Sequence, residues 1–202
     1  MGEIVRSVLE RLRQESGGSA QYTRLAATDR PDGLADVLTE PGQPLWAREL
    51  AAFRLGLAGD RRAFESLVLL LNHRDPPRCA GAAYALARLG DPRTARAAAA
   101  LATNELRVAY ALHPVRLLVA LRAPEAVPAL ITTLQRRLRP HDPYRRVALA
   151  CVDGLGELGD ARAEPVLNEA LAHPALAEAA VQALARIPGQ RRASAPRIPG
   201  QR

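Results

Sequence analysis

The chain has 202 residues, 48% of them hydrophobic and 3% aromatic, so one sizeable core or a modest helical stack must be built from Ala, Leu and Val. All 28 basic residues are arginine and the formal charge is +7, yet Arg186, Arg191, Arg192, Arg197 and Arg202 all follow the last acidic residue, Glu178; without those five, 23 basic residues face 21 acidic ones and the body is close to neutral. That balance argues against a strongly basic nucleic-acid-binding body, no apolar run approaches the ~18 residues of a membrane span, and two cysteines in different segments are too few for a disulfide framework.

The chain opens with "MGEIVRSVLERLRQES", and residues 1–18 read as an amphipathic helix with charges throughout instead of the apolar centre of a signal peptide. From there to residue 187 one pattern recurs. With Asp91 as position zero, a leucine lies five residues before it, and apolar residues at four, seven, eight and eleven after it are the stripe of a helix. Zero falls in turn on Arg30, Asp60, Asp91, Ala123, Asp160 and Gly189, and the preceding leucines are Leu25, Leu55, Leu86, Leu118, Leu155 and Leu184. Zeros about thirty residues apart signify stacked helical hairpins. At the hinges, Gly59, Gly90 and Gly159 supply a left-handed residue that ends one helix. Asp60, Asp91 and Asp160 then cap the next, with Pro92 and Pro124 suited to its first position. His113-Pro114 falls inside a first helix and predicts a kink there. The longest interval, from 123 to 160, holds the basic insertion "QRRLRPHDPYRR". Residues 188–202 carry a duplicated RIPGQR and have the composition of a disordered tail.

The segments "ALARLGDPRTA", "LRAPEAVPALITTL" and "LGELGDARAEPVLNEAL" resemble HEAT-like repeats of the short type named after phycobilisome lyases. The resemblance covers about residues 20–187. It implies an all-α, right-handed solenoid of about five hairpins, with an N-terminal helix and a capping C-terminal helix in "LAEAAVQALARIP". It is nearly silent on activity, because proteins with such repeats include bilin-attaching lyase subunits, scaffolds, adaptors and regulatory subunits, and a related group comprises alkylpurine DNA glycosylases.

In such stacks the second helices line the concave surface. The outward offsets of these helices carry Arg62, Glu65, Arg93 and Arg96 early in the chain, then Glu125, Thr132, Gln135, Arg136, Arg162 and Glu169. The row fits a groove for a polar protein or peptide, and it fits a solvated face as well. Arg137, Arg139, Arg145 and Arg146 of the insertion join Arg136 as forks for carboxylates or phosphates, or as cations favoured at a helix C-terminus. The recurrent Asp-x-Arg pairs read as caps and inter-repeat packing. The four histidines have no ligand spacing, so no metal or cofactor is expected, and Cys151 beside Asp153 has no histidine in its own unit to activate it.

The reading is a non-enzymatic scaffold or adaptor that holds a protein or peptide on its second-helix face. Two free thiols, Cys79 and Cys151, fit a reducing, cytoplasmic setting, and the all-arginine, Ala- and Pro-rich composition fits a GC-rich bacterial genome. The alternatives are a lyase-type or chaperone-like subunit acting on a cofactor-bearing or substrate protein, and a nucleic-acid-binding or glycosylase relative. Trp46 as sole indole offers little base stacking for the last. Nucleic-acid binding would then be weak and dependent on the tail. Oligomeric state is open.

Overall fold

In the computed structural model, which describes residues 2–188, all regular secondary structure among the described residues is helical. Two compact units are present, Met1–Leu101 and Ala102–Arg202. The tail residues from 189 onward, including the sixth zero at Gly189, lie outside the described residues.

The first unit contains α1 (Glu3–Glu15), α2 (Ala20–Ala27), α3 (Pro31–Thr39), α4 (Leu45–Leu57), α5 (Phe64–Leu71), α6 (Pro76–Leu89) and nearly all of α7 (Arg93–Ala102). The second contains α8 (Leu112–Leu121), α9 (Ala126–Arg137), α10 (Arg145–Leu158), α11 (Glu164–Ala170) and α12 (Ala177–Arg186). The even-numbered helices from α4 onward are the first helices of the hairpins. In the first unit α4 packs on α6; in the second α10 packs on both α8 and α12. Within the units, second helices pack on the first helix that follows, α3 on α4, α5 on α6, α9 on α10 and α11 on α12.

The register leucines Leu55, Leu86, Leu118, Leu155 and Leu184 are all buried, as are Phe64, Leu67 and Leu71 of one stripe and Val127, Leu130 and Leu134 of another. At the degenerate first zero Leu25 is only half-buried, whereas Leu34 and Val37 are buried. Neither helix of a pair could bury its stripe alone, and stacking removes both from water at roughly 25 cal/mol per Å² of apolar surface.

Close approach between successive first helices has a residue-level cause. The residue four before zero on one helix meets the residue six before zero on the next. Gly56 faces Ala85, Val119 faces Gly154 and Gly156 faces Ala183. A Cβ on Gly154 would lie 2.4 Å from the Val119 side chain, and one on Gly156 would lie 2.6 Å from the Ala183 Cα. Each contact contains a glycine, and which partner supplies it alternates.

The hinges behave as the residues dictate. Gly59, Gly90 and Gly159 all have positive φ, and Asp60, Asp91 and Asp160 each accept a hydrogen bond from the backbone N–H two residues on. At the fourth hinge, where Gly and Asp are missing, Arg122 takes the left-handed conformation at φ 50°, which costs a non-glycine residue about 1–2 kcal/mol. The expected proline kink is replaced by a different device. Residues Glu105–Tyr110 form a 3-10 segment, and Pro114 lies in the first turn of a shortened α8, where its missing N–H breaks no bond.

The N-terminal helix is part of the first unit. α1 lies across α4 and α6, burying Val5, Val8 and Leu12, and Val8 sits where a Cβ on Gly81 would be, 3.0 Å away. Ser19 caps α2, whose last carbonyls, those of Leu25 and Ala26, accept from Arg54 Nη1 at 2.7 and 2.8 Å.

Candidate functional site

The second-helix row falls into two groups, one in each unit, and its members differ in how they are held. Arg62 donates to Asp60 and reaches back to Asp32 of α3, with Nη1–Oδ1 of 2.9 Å. Arg93 repeats the arrangement with Asp91 at 2.9 Å and Glu65 of α5 at 3.1 Å, and its guanidinium lies over the Phe64 ring, 3.9 Å from the centroid. Each arginine thus joins its own hinge to an acid on the preceding second helix while remaining 48% and 54% exposed, respectively. Arg162 grips Asp160 alone. Hydrogen bonds from Arg162, first from its side chain and then from its backbone, hold the Asp160 carboxyl down to about 2. The Asp60 and Asp91 carboxyls are likewise lowered, first by hydrogen bonds from Arg62 and Arg93. Arg96, Gln135 and Glu169 are exposed, whereas Glu125 and Thr132 are half-buried.

The insertion is more structured than its charge suggests. Arg137 is expected among accessible forks but turns inward, 8% exposed, to pair with Asp142 at 3.1 Å below the Tyr144 ring. Arg136 donates to the Thr103 carbonyl at 2.7 Å and pairs with Glu105 at 3.0 Å. Arg145 reaches the Ala175 carbonyl at 3.4 Å. Arg139 and Arg146 are exposed. The loop is therefore tied down by a half-turn of its own ion pair, and its outward charge is smaller than a count of arginines predicts.

Sequence reasoning missed one cluster entirely. Glu49 of α4, 3% exposed, receives Arg11 of α1 and Arg78 of α6. Glu15 of α1 receives the same two arginines, at 2.8 and 2.5 Å, and Asp75 adds a contact to Arg78 at 3.4 Å. Burial alone would raise the Glu15 carboxyl, but hydrogen bonds from Arg11 and Arg78 outweigh it and leave it below the usual range. The signal available in sequence was Glu49 itself, a lone acid on the buried stripe of a first helix.

The remaining chemistry-bearing residues sit apart. Cys79 and Cys151 are both buried and are not joined in a disulfide. Cys79 Sγ lies 2.9 Å from the His73 carbonyl, and burial pushes the Cys151 thiol up to about 12, far from a thiolate. Among the described residues no three His, Cys, Asp or Glu side chains converge as metal ligands, and no helix is long and apolar enough to cross a membrane.

Helical hairpins in a common register, with capped hinges and small-residue contacts between first helices, define an α-helical repeat protein. Residues 147–173, from the first turn of α10 to just beyond α11, match the family model of the PBS lyase HEAT-like repeat, and this segment is such a repeat. The other hairpins share its register. No curated protein matches the chain.

Proposed function

We propose that the chain is a non-enzymatic protein-binding scaffold or adaptor that uses the exposed charged row of its second helices. The observation that carries this reading is the arginine ladder of the first unit. Arg62 and Arg93 are fixed by two carboxylates each and still present about half their surface to solvent. A guanidinium already held in place loses little side-chain entropy on meeting a partner, so preorganisation favours binding there. Acids are interspersed among the bases of the second helices, which suits a polar peptide or protein surface better than a polyanion. The match to a PBS lyase HEAT-like repeat supports, as the second reading, a lyase-type subunit that holds a cofactor-bearing protein for chemistry carried out elsewhere.

The test begins with the protein that co-purifies with the native chain, identified and then produced alone for calorimetric titration. Arg96→Glu combined with Glu169→Arg reverses two exposed charges of the row and is expected to weaken that complex at least tenfold, about 1.4 kcal/mol. The melting temperature should hardly change, since exposed substitutions stay within about 0.5 kcal/mol. Asp91→Ala should affect both, losing roughly 1 kcal/mol of stability through the cap and weakening the complex by releasing Arg93 from one of its two carboxylates. Unchanged titration by the charge-reversed variant would remove the second-helix row from consideration. Turnover of a small substrate by the isolated chain would overturn the non-enzymatic reading.

A further inference from the structure

The first helices offer a second surface, independent of the row just described. In the first unit the furrow between α4 and α6 is filled by α1. Gly2 lies beside the Tyr84 hydroxyl, Val8 packs on Gly81, and Glu15 meets Arg78, so α1 runs antiparallel to α6. In the repeat register, the furrow between α8 and α10 of the second unit is the counterpart of that furrow. Ala150 stands where Gly81 does, Leu149 where Ala80 does, and Leu112 where Glu49 does.

Among the described residues no helix fills this counterpart. It is an open groove of about 400 Å³. Its floor is apolar, made by Leu112, Val119, Leu149, Ala150 and Gly154, and Leu112 and Leu149 are left only half-buried. Arg116 and Arg146 line its rim beside His113. Both arginines are exposed and neither has an ion-pair partner among the described residues. Burial first, and then these two guanidinium charges, lower the His113 pKa. At the opposite end the rim carries Asp153 and Glu157.

We propose that the furrow between α8 and α10 is a docking site for an amphipathic helix of another protein, lying antiparallel to α10 with a carboxylate in its last turn received by Arg116 and Arg146. The occupant follows from what α1 does in the equivalent place. Its last-turn Glu15 meets the arginine near the start of α6, and Arg146 near the start of α10 stands one register position from that arginine's counterpart. The partner must differ from α1 at one point. Arg11 of α1 seats on Glu49, whereas a helix in the second furrow meets Leu112 there and needs an apolar side chain. A basic residue in its first turn would face Asp153 and Glu157, completing the charge match.

The probe is a peptide of residues 2–18 carrying Glu3→Arg and Arg11→Leu and stapled between positions 6 and 10, which are exposed on α1, so that it is helical in solution. It is titrated into the full chain by calorimetry, and its place is read from amide shifts of α8 and α10. Saturable binding there is expected. Arg116→Glu with Arg146→Glu should weaken it by roughly tenfold or more, and a peptide that also carries Glu15→Arg should recover much of the loss. Ala150→Trp, which fills the floor without touching the rim, should abolish binding. Circular dichroism of each variant confirms that it is folded. Absence of binding, or binding indifferent to the rim and the floor, overturns the proposal. Shifts confined to α4 and α6 would mean exchange with the resident α1 and also overturn it. If sedimentation shows that the chain self-associates and Ala150→Trp makes it monomeric, the occupant is a second copy and the proposed partner is wrong.

Discussion

At the scale of single residues, the hinge aspartates do two jobs with one carboxylate. Each accepts from the amide that begins the next helical turn and receives an arginine two residues on. Both interactions favour the ionised form, so both lower the pKa. Asp160 stands at about 2 in the folded chain against an ordinary 3.8. A depressed folded pKa contributes stability above the unfolded value, and that contribution is lost as pH falls through the folded one. Asp60 and Asp91 shift in the same direction. Thermal melts between pH 5 and pH 2 should therefore show a progressive fall, concentrated below about pH 4. Asp160→Asn retains a capping side chain but cannot titrate, so its melting temperature should depend less steeply on pH over this window. An identical slope in the variant and the parent would show that the hinge carboxylate contributes nothing to acid sensitivity.

At the scale of the helix, the repeat was legible because burial is periodic. Leu55, Leu86, Leu118 and Leu155 reveal themselves by spacing alone, and each is essentially inaccessible to water. Glycine and aspartate mark hinges through local backbone chemistry, which needs no knowledge of the partner helix. What could not be read depends on contacts between elements. The pairing of Val119 with Gly154 and of Gly156 with Ala183 joins residues more than two dozen positions apart, and no local rule links them. Arg137 likewise looked like its neighbours in the insertion until Asp142 turned it inward. Of the second-helix row, the positions were readable, but not which of the arginines a hinge or a carbonyl already holds.

The small-residue contact makes a sharp prediction. Gly154→Ala places a methyl 2.4 Å from the Val119 side chain, itself held in a buried position. Overpacking of this kind costs typically 1–3 kcal/mol, whereas helix propensity alone would favour alanine by about 1 kcal/mol. The clash should win. Val119→Ala alone should also destabilise, by removing buried methyls. In the double variant the alanine methyl enters the space that valine vacates, so the loss should be smaller than the sum, with a coupling of about 1 kcal/mol or more. Additive losses in urea denaturation would mean that α8 and α10 do not approach through this pair.

At the scale of the whole molecule, the chain is organised as two compact units, and the first contains a buried ionic cluster. Glu49 holds one arginine from α1 and one from α6 while lying almost wholly out of water. Exchanging such a cluster for apolar residues can be neutral, but removing one member leaves the others charged and buried, which costs about 3–5 kcal/mol. Glu49→Ala should therefore be far more damaging than its single lost side chain suggests. The damage should also be local, because stability in a helical stack is a sum of terms between neighbouring elements. Hydrogen exchange of the variant is expected to show α1 losing protection first and most, followed by α4 and α6, to which Arg11 and Arg78 belong or attach. The amides of α10 and α12, which pack on one another in the second unit, should keep most of theirs. Glu49→Gln is the informative companion, since it preserves size and hydrogen bonding and removes only charge. If it fails as badly as alanine, charge balance holds α1 in place. A uniform loss of protection through both units would show that they unfold as one, and that the cluster stabilises the entire chain.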